Sequence, residues 1–313
     1  MYRKIIVGYD GRERSEDAVA LGSALAEATG AELMIASIYP HDPFPRTYVI
    51  EYEGHLRRDT EEMLDKLRAR LGIGCETRAV GATSPARGLH DLAEDETDLI
   101  VVGSDADGPV GRILAGSTGQ RLLHGAPSAV AVAPVGLASA GDGGGFRSLG
   151  VAFDGSPEAV VALRAAEELA TALGAGLRLL AVVSPPSFGM AATAAHEGGY
   201  GGASASFSYS DLEDSARELL RGRLDRALEA LPSELDAESS LLSGDPAGEI
   251  AKEAGHGIDL LVTGSRGYGP LRRVLLGGVS TKLIHSAPCS ILVVPRGALV
   301  EAPAETAVGS APG

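Results

Sequence analysis

Val7-Gly8-Tyr9-Asp10-Gly11 recurs as Val151-Ala152-Phe153-Asp154-Gly155, and this repetition decides how the 313-residue chain is read. Outward from it, Leu25, Ala26, Ala28, Gly30 and Leu33 fall on Leu169, Ala170, Ala172, Gly174 and Leu177. Further along, Pro85-Ala86, Ala93 and Asp98-Leu99 fall on Pro246-Ala247, Ala254 and Asp259-Leu260. Gly103-Ser104 meets Gly264-Ser265, while His124, Ala126-Pro127 and Pro134 meet His285, Ala287-Pro288 and Pro295. One α/β unit has been duplicated, with extra residues in the second copy between the two matched blocks. Residues 1–136 and 148–296 are each expected to form a domain, joined by a flexible Gly-rich linker over 137–147 and followed by a disordered tail over 297–313.

Within each copy the pattern alternates. Ile5–Tyr9 and Leu149–Phe153 read as strands that end at Asp-Gly and open into Ala/Leu-rich helices, Ser15–Thr29 and Pro157–Leu173, with Gly30 and Gly174 at the C-caps. Strands follow at Glu32–Tyr39 and Leu177–Val183, then charged helices over Glu53–Leu71 and Leu212–Leu231, then strands at Glu76–Val80 and Ala237–Leu242. Ser84-Pro85 and Asp245-Pro246 read as helix starts, because a Ser or Asp side chain satisfies an orphan amide and proline is tolerated in the first turn. Leu99–Val102 and Leu260–Thr263 are continuous apolar runs, as in strands buried on both faces, and fifth strands lie at Ala129–Ala133 and Ser290–Val294. The predicted fold class is α/β: two tandem open five-stranded parallel sheets flanked by helices, Rossmann-like. Residues 185–210, rich in Gly, Ala and Ser, read as a flexible inserted loop.

Composition sets the class of protein. A 44% hydrophobic content builds a core in each half, and no apolar run approaches the ~20 residues that span a bilayer. Met1 leads through Arg3-Lys4 directly into a strand, without a signal-peptide pattern, so the cytoplasm is the expected compartment. The formal net charge of −15 argues against a nucleic-acid partner, which needs clustered Lys and Arg. Cys75 and Cys289 lie in different repeats without CxxC spacing, and no His/Cys/Asp/Glu cluster has metal-ligand spacing. Adjacent carboxylates such as Glu61-Glu62 are not aimed at one point, and no G-x-S-x-G elbow is present. His124 and His285 sit near the ends of the last helices, where an imidazolium complements the dipole. No catalytic residue is assigned.

The chemistry-bearing stretch follows the fourth strand. In the second copy it runs from Gly264-Ser265-Arg266-Gly267 to Gly277-Gly278-Val279-Ser280. A strand ending in a Gly-rich turn that later opens a helix brings backbone amides together outside the carboxyl edge of the sheet, where anions bind. On these residues the chain resembles the universal stress protein family in tandem form, with an adenine nucleotide alpha hydrolase-like fold. The resemblance covers nearly everything except linker, insertion and tail. ATP-binding members of that family carry Gly-x2-Gly-x9-Gly-(Ser/Thr) after the fourth strand and an Asp closing the first. Gly264, Gly267, Gly277 and Asp154 match in the second copy, with Gly278 at the hydroxyl position and Ser280 nearby to compensate. In the first copy Gly103, Gly116-Ser117 and Asp10 match, but Ala106 replaces the middle glycine.

The resemblance therefore implies ATP, with magnesium, held in the second half by Ala152, Asp154, Val182, Thr263, Gly264, Gly267, Gly277, Gly278, Val279 and Ser280. It implies a weaker site in the first half at Gly8, Asp10, Ile38, Val102, Gly103, Gly116, Ser117 and Thr118. For Asp10 and Asp154 a turn-capping role is the competing reading, since Asp-Gly is itself a turn signal. The second site ranks above the first because Asp105 and Asp107 flank the first loop where the second has Arg266 and Tyr268. A like charge ~4 Å from a phosphate costs about 1 kcal/mol in water and about 4 kcal/mol at intermediate dielectric, against ~0.3–2 kcal/mol returned by a helix N-terminus. Three function classes stay open: an ATP-binding regulatory stress protein, a slow ATPase, and an interaction module that has lost its nucleotide. A Walker motif is absent, which weighs against the ATPase. The resemblance further implies unidentified protein partners, a homodimer, and pairing through the fifth strands, here between the two halves of one chain.

Overall fold

The computed structural model describes residues 2–42, 47–72, 74–93, 99–105, 112–140, 145–184, 209–265 and 277–295. The first half runs β1 (Lys4–Gly8), α1 (Glu13–Thr29), β2 (Glu32–Pro40), α2 (Thr47–Leu71), β3 (Glu76–Ala82), α3 (Pro85–Ala93), β4 (Leu99–Gly103), α4 (Ser117–Leu123) and β5 (Ala129–Ala133). A short 3-10 turn, Leu137–Ser139, leads on to the second half: β6 (Ser148–Ala152), α5 (Pro157–Leu173), β7 (Gly176–Val183), α6 (Tyr209–Glu229), β8 (Ala237–Ser243), α7 (Pro246–Ala254), β9 (Leu260–Gly264), α8 (Gly278–Leu283) and β10 (Ser290–Val294). The order of elements repeats as the sequence predicts, and both fifth strands fall on the predicted bounds.

Each half is a parallel sheet in the order 3-2-1-4-5, and the two are joined into one ten-stranded sheet by an antiparallel β5–β10 contact. Ile291, Leu292 and Val293 stand opposite Val132, Ala131 and Val130. Joining these strands removes two open edges whose amides and carbonyls need partners. All ten residues of the two strands are buried. Because the strands meet antiparallel, the carboxyl edges of the two halves point in opposite directions.

The central strands are apolar along their interiors because both faces are covered. Along β1 and β4, Ile5, Val7, Leu99 and Val101 face a core shared with α1, α2, α5 and α6. Ile6, Ile100 and Val102 face the opposite core, shared with α3, α4, α7 and α8. Both cores draw residues from the two halves. Helix ends follow the local chemistry: Gly30 and Gly174 adopt left-handed C-caps, and Ser156 and Asp245 cap α5 and α7 by accepting from Ala159 N and Gly248 N. Cys289 is buried and its thiol is pushed up to about 12 by desolvation, which keeps it protonated and inert. No helix among the described residues is long and apolar enough to cross a membrane.

The predicted flexible linker is ordered at both ends. Asp17, buried on α1, accepts from Gly136 N (2.9 Å) and Ala138 N (2.8 Å), pinning the turn after β5 to α1. At the other end Asp259 accepts from Arg147 N (2.8 Å) and Ser148 N (3.0 Å). Two carboxylates thus fix the entry and exit of a connection that composition alone marks as loose; residues 141–144 between them lie outside the described residues. Tyr209 and Ser210, expected within the inserted loop, open α6; the rest of that loop, and the tail, lie outside the described residues. Removing the Asp17 carboxylate with Asp17→Ala is expected to cost about 2–3 kcal/mol, because two amides lose a charged acceptor in a half-buried site. Urea unfolding of wild type and variant measures it.

Candidate nucleotide site

Parallel strands place their chemistry at the carboxyl edge, and a pocket lies there in each half. In both, the strand-terminal glycine is demanded by close approach of the first turn of a helix. A Cβ on Gly103 would collide with the Arg14 carbonyl oxygen, and one on Gly264 would sit 2.5 Å from the Glu158 carbonyl oxygen. The glycines let α1 and α5 lie directly against the strand ends, forming one wall of each pocket.

The second-half pocket has a volume of about 930 Å³. Every described member of the predicted second-half set lines it: Ala152 and Asp154 after β6, Val182 on β7, Thr263 and Gly264 ending β9, and Gly277, Gly278, Val279 and Ser280 opening α8. Gly267 lies outside the described residues, as do Arg266 and Tyr268. Ser280 Oγ donates to Gly264 O at 3.0 Å and lies 3.0 Å from Thr263 Oγ1. That hydroxyl pair ties the start of α8 to the end of β9. Asp154 Oδ1 accepts from Ser156 N at 2.9 Å, so one carboxylate oxygen is committed to the turn, and Arg223 on α6 donates to Asp154 O at 2.7 Å.

Sequence reasoning missed several residues of this wall. Lys282 on α8 pairs with Asp245 at 2.9 Å on the pocket rim, and that pairing, first through its hydrogen bond, holds the Asp245 carboxyl below its usual range. Ser265 Oγ is buried in the pocket wall and has no hydrogen-bond partner among the described residues. Glu158 lines the pocket too, and its equivalence to Arg14 was available from the repeat. Lys282 and Asp245 carry no such signal, because side-chain pairing between two helices leaves no periodic trace.

The first-half pocket is smaller, about 270 Å³. It too gathers its predicted set: Gly8, Asp10, Ile38, Val102, Gly103, Gly116, Ser117 and Thr118. Asp10 Oδ1 accepts from Arg12 N at 3.1 Å, repeating the turn role of Asp154. Arg14 and Asp105 form an ion pair at 3.0 Å within the wall. The loop leading to α4 is tied across the molecule, with Ile113 N donating to Ala287 O (2.9 Å) and Ala115 N to Ile284 O (3.1 Å), so the first-half pocket is braced by the second half. Tyr9, which also lines this pocket, donates its hydroxyl to Glu16 at 2.8 Å. Among the described residues no cluster of His, Cys, Asp and Glu is arranged to hold a metal ion.

Two expectations follow. Burial, then the Glu16 hydrogen bond, pushes the Tyr9 phenol up from 10.0 to about 12. The stabilisation it contributes is complete below pH 10 and disappears as pH rises from 10 to about 12; Tyr9→Phe is expected to remove that part of the alkaline unfolding curve. Gly264→Ala is expected to cost about 1–3 kcal/mol, since its Cβ meets backbone, whereas Gly278→Ala, whose Cβ meets nothing within 4 Å, is expected to leave stability unchanged; thermal denaturation of both variants measures the difference.

Comparison with known proteins agrees with this arrangement. The model of the universal stress protein family matches residues 1–134 and again 145–295. A universal stress protein of Mycobacterium tuberculosis is 27% identical over 312 residues, covering 93% of this chain and 99% of the relative. One from Thermus aquaticus is 32% identical over 137 residues, 42% of this chain and 97% of its own length. Among solved structures, a universal stress protein from Archaeoglobus fulgidus shares the fold with a TM-score of 0.65 at 19% identity, covering 94% of this chain and 98% of that one. A putative universal stress protein from Pseudomonas aeruginosa has a TM-score of 0.60 at 15% identity, covering 95% of each chain. With the family model matched twice and the duplicated α/β fold in view, the chain belongs to the universal stress protein family, in tandem form.

Proposed function

We propose that the protein is an ATP-binding regulator, with the nucleotide held in the second-half pocket and the bound state read by other proteins. The observation that carries this reading is that the motif residues after β9 converge with Asp154 and Val182 on one cavity of about 930 Å³. That volume is within the ~300–1,000 Å³ of small-molecule sites, whereas about 270 Å³ in the first half is below it. The chemistry of the wall fits the ligand. Val182 and Ile250 offer apolar surface to a base, and Ser265 Oγ is a buried hydroxyl with a hydrogen bond to give. The Gly277-Gly278 opening of α8 brings main-chain amides to the phosphate end.

Charge explains why magnesium accompanies the nucleotide in this reading. Asp154, Glu158 and Asp245 line the pocket, and Lys282 is the sole cation among its described lining residues. A magnesium complex carries less negative charge past those carboxylates than bare ATP. The same carboxylates are engaged: Asp154 with the turn, Asp245 with Gly248 N and Lys282, and Glu158 with a partner of its own. None stands as a ready general base, which favours a bound regulatory nucleotide over turnover. On this reading Asp154 meets the adenosine moiety with its second carboxylate oxygen. The protein acts in the cytoplasm, and two chains associate as a homodimer.

Matched substitutions test the assignment. Ser117 and Gly278 occupy equivalent positions in the repeat, each opening the last helix of its half. Isothermal titration with ATP and magnesium is expected to give about one nucleotide per chain, abolished by Gly278→Asp and unaffected by Ser117→Asp. Loss of binding with Ser117→Asp alone would reverse the assignment of the halves; no binding to the wild type by titration or equilibrium dialysis would leave the interaction-module reading.

A further inference from the structure

We propose that the Arg14–Asp105 ion pair decides which of the two pockets accepts an anionic ligand, by keeping the first one closed to phosphate. The proposal rests on the nucleotide reading of the second pocket and names the residues that make the first one different. Arg14 Nη1 donates to Asp105 Oδ1 at 3.0 Å, with both side chains partly buried in the pocket wall. Asp105 is held there by its main chain, whose N–H donates to Leu114 O at 2.7 Å. A Cβ built on Gly116 would lie 3.2 Å from Asp105 Oδ2. The carboxylate therefore occupies the space between the end of β4 and Gly116, where the equivalent space in the second half is assigned to phosphate. The other charged groups lining this pocket are Asp10 and Arg12, which lie 3.9 Å apart at its exposed edge and offset one another.

The internal repeat supplies the comparison. Arg14 and Glu158 hold the same place, each the second residue of its helix and each packed by its backbone against the glycine that ends the fourth strand of its half, Gly103 or Gly264. Their charges are opposite. Asp105 and Arg266 likewise follow Gly103-Ser104 and Gly264-Ser265 in the sequence with opposite charges; Arg266 lies outside the described residues, and only its charge enters here. In the sequence the two charges are exchanged together between the halves. The sum of the two charges is the same in both, but the residue that follows Gly-Ser is acidic in the first half and basic in the second. An acid on the loop repels a phosphate and a guanidinium draws it in. Loss of a single charge would explain a degenerate site; a paired exchange explains two pockets that keep the same scaffold with opposite preference.

The test is equilibrium dialysis of the full chain against labelled ATP with magnesium, on wild type, Asp105→Asn and the double variant Arg14→Glu/Asp105→Arg, with the melting temperature of each recorded. The wild type is expected to bind one nucleotide per chain. The double variant is expected to bind a second, removed by Ser117→Asp and insensitive to Gly278→Asp, with a melting temperature within about 2 °C of wild type because a partly buried pair of opposite charges is kept with its partners exchanged. Asp105→Asn, which lifts the repulsion without adding a cation, is expected to gain the second site at an affinity about tenfold weaker, and it decides the matter if the double variant does not fold. A folded variant that stays at the wild-type stoichiometry overturns the proposal, as does a wild type that already fills both pockets. If the wild type binds none and the double variant binds one, the ion-pair proposal stands and the second-pocket reading fails; no binding by any of them overturns both.

Discussion

Three residue pairs, Ile291 with Val132, Leu292 with Ala131 and Val293 with Val130, set the geometry on which the rest of this molecule depends. They turn two open sheets into one, and they do so antiparallel, which sends the carboxyl edges of the halves in opposite directions. Had the halves stayed separate, each would present a largely apolar fifth strand to solvent with one edge of its backbone unpaired. Joined, they share both cores, and the first-half loop before α4 reaches across to hydrogen-bond the end of α8. The pockets are therefore remote from each other in space yet mechanically linked through the junction. A ligand that tightens one loop acts on a surface that the other half helps to build.

Within that frame the two pockets share a floor and differ in charge. The strand-terminal glycines admit the first turns of α1 and α5 close against the strand ends, so what each helix carries at that point is brought to the pocket wall. Arg14 there meets Asp105, and Glu158 takes the corresponding place in the second half. On the proposed reading a duplicated chain relieves one copy of the need to bind, and the first copy keeps its fold with the Asp105 carboxylate beside Gly116. The sheet beneath the two pockets is alike, since β4 and β9 pair with their neighbours in the same pattern.

Much of this was legible in the sequence because duplication reports on itself. Strand ends at Asp10 and Asp154, the helix starts at Pro85 and Pro246, and the fifth strands all came from matching one half to the other, and the motif glycines located both pockets. What escaped was what the repeat does not share. Asp17 clips the connection after β5, but Val161 stands at its counterpart, so comparison gave no warning that the start of the linker is pinned. The Lys282–Asp245 pair on the rim and the Arg223 contact to the Asp154 carbonyl join separate helices to separate turns. Such contacts depend on tertiary placement and have no period to detect. The contacts of the Ser280 hydroxyl with Gly264 and Thr263 were likewise invisible in the sequence, because they depend on where the start of α8 meets the end of β9.

The central claim is that one scaffold holds two pockets of opposite preference, with nucleotide in the second. Its most direct test is a crystal structure of the full chain grown with ATP and magnesium. The account predicts nucleotide density over Gly264, Gly277 and Gly278, with the Arg14–Asp105 pair intact and no phosphate beside Gly116. Phosphate density beside Gly116, or nucleotide bound away from both strand ends, would contradict it.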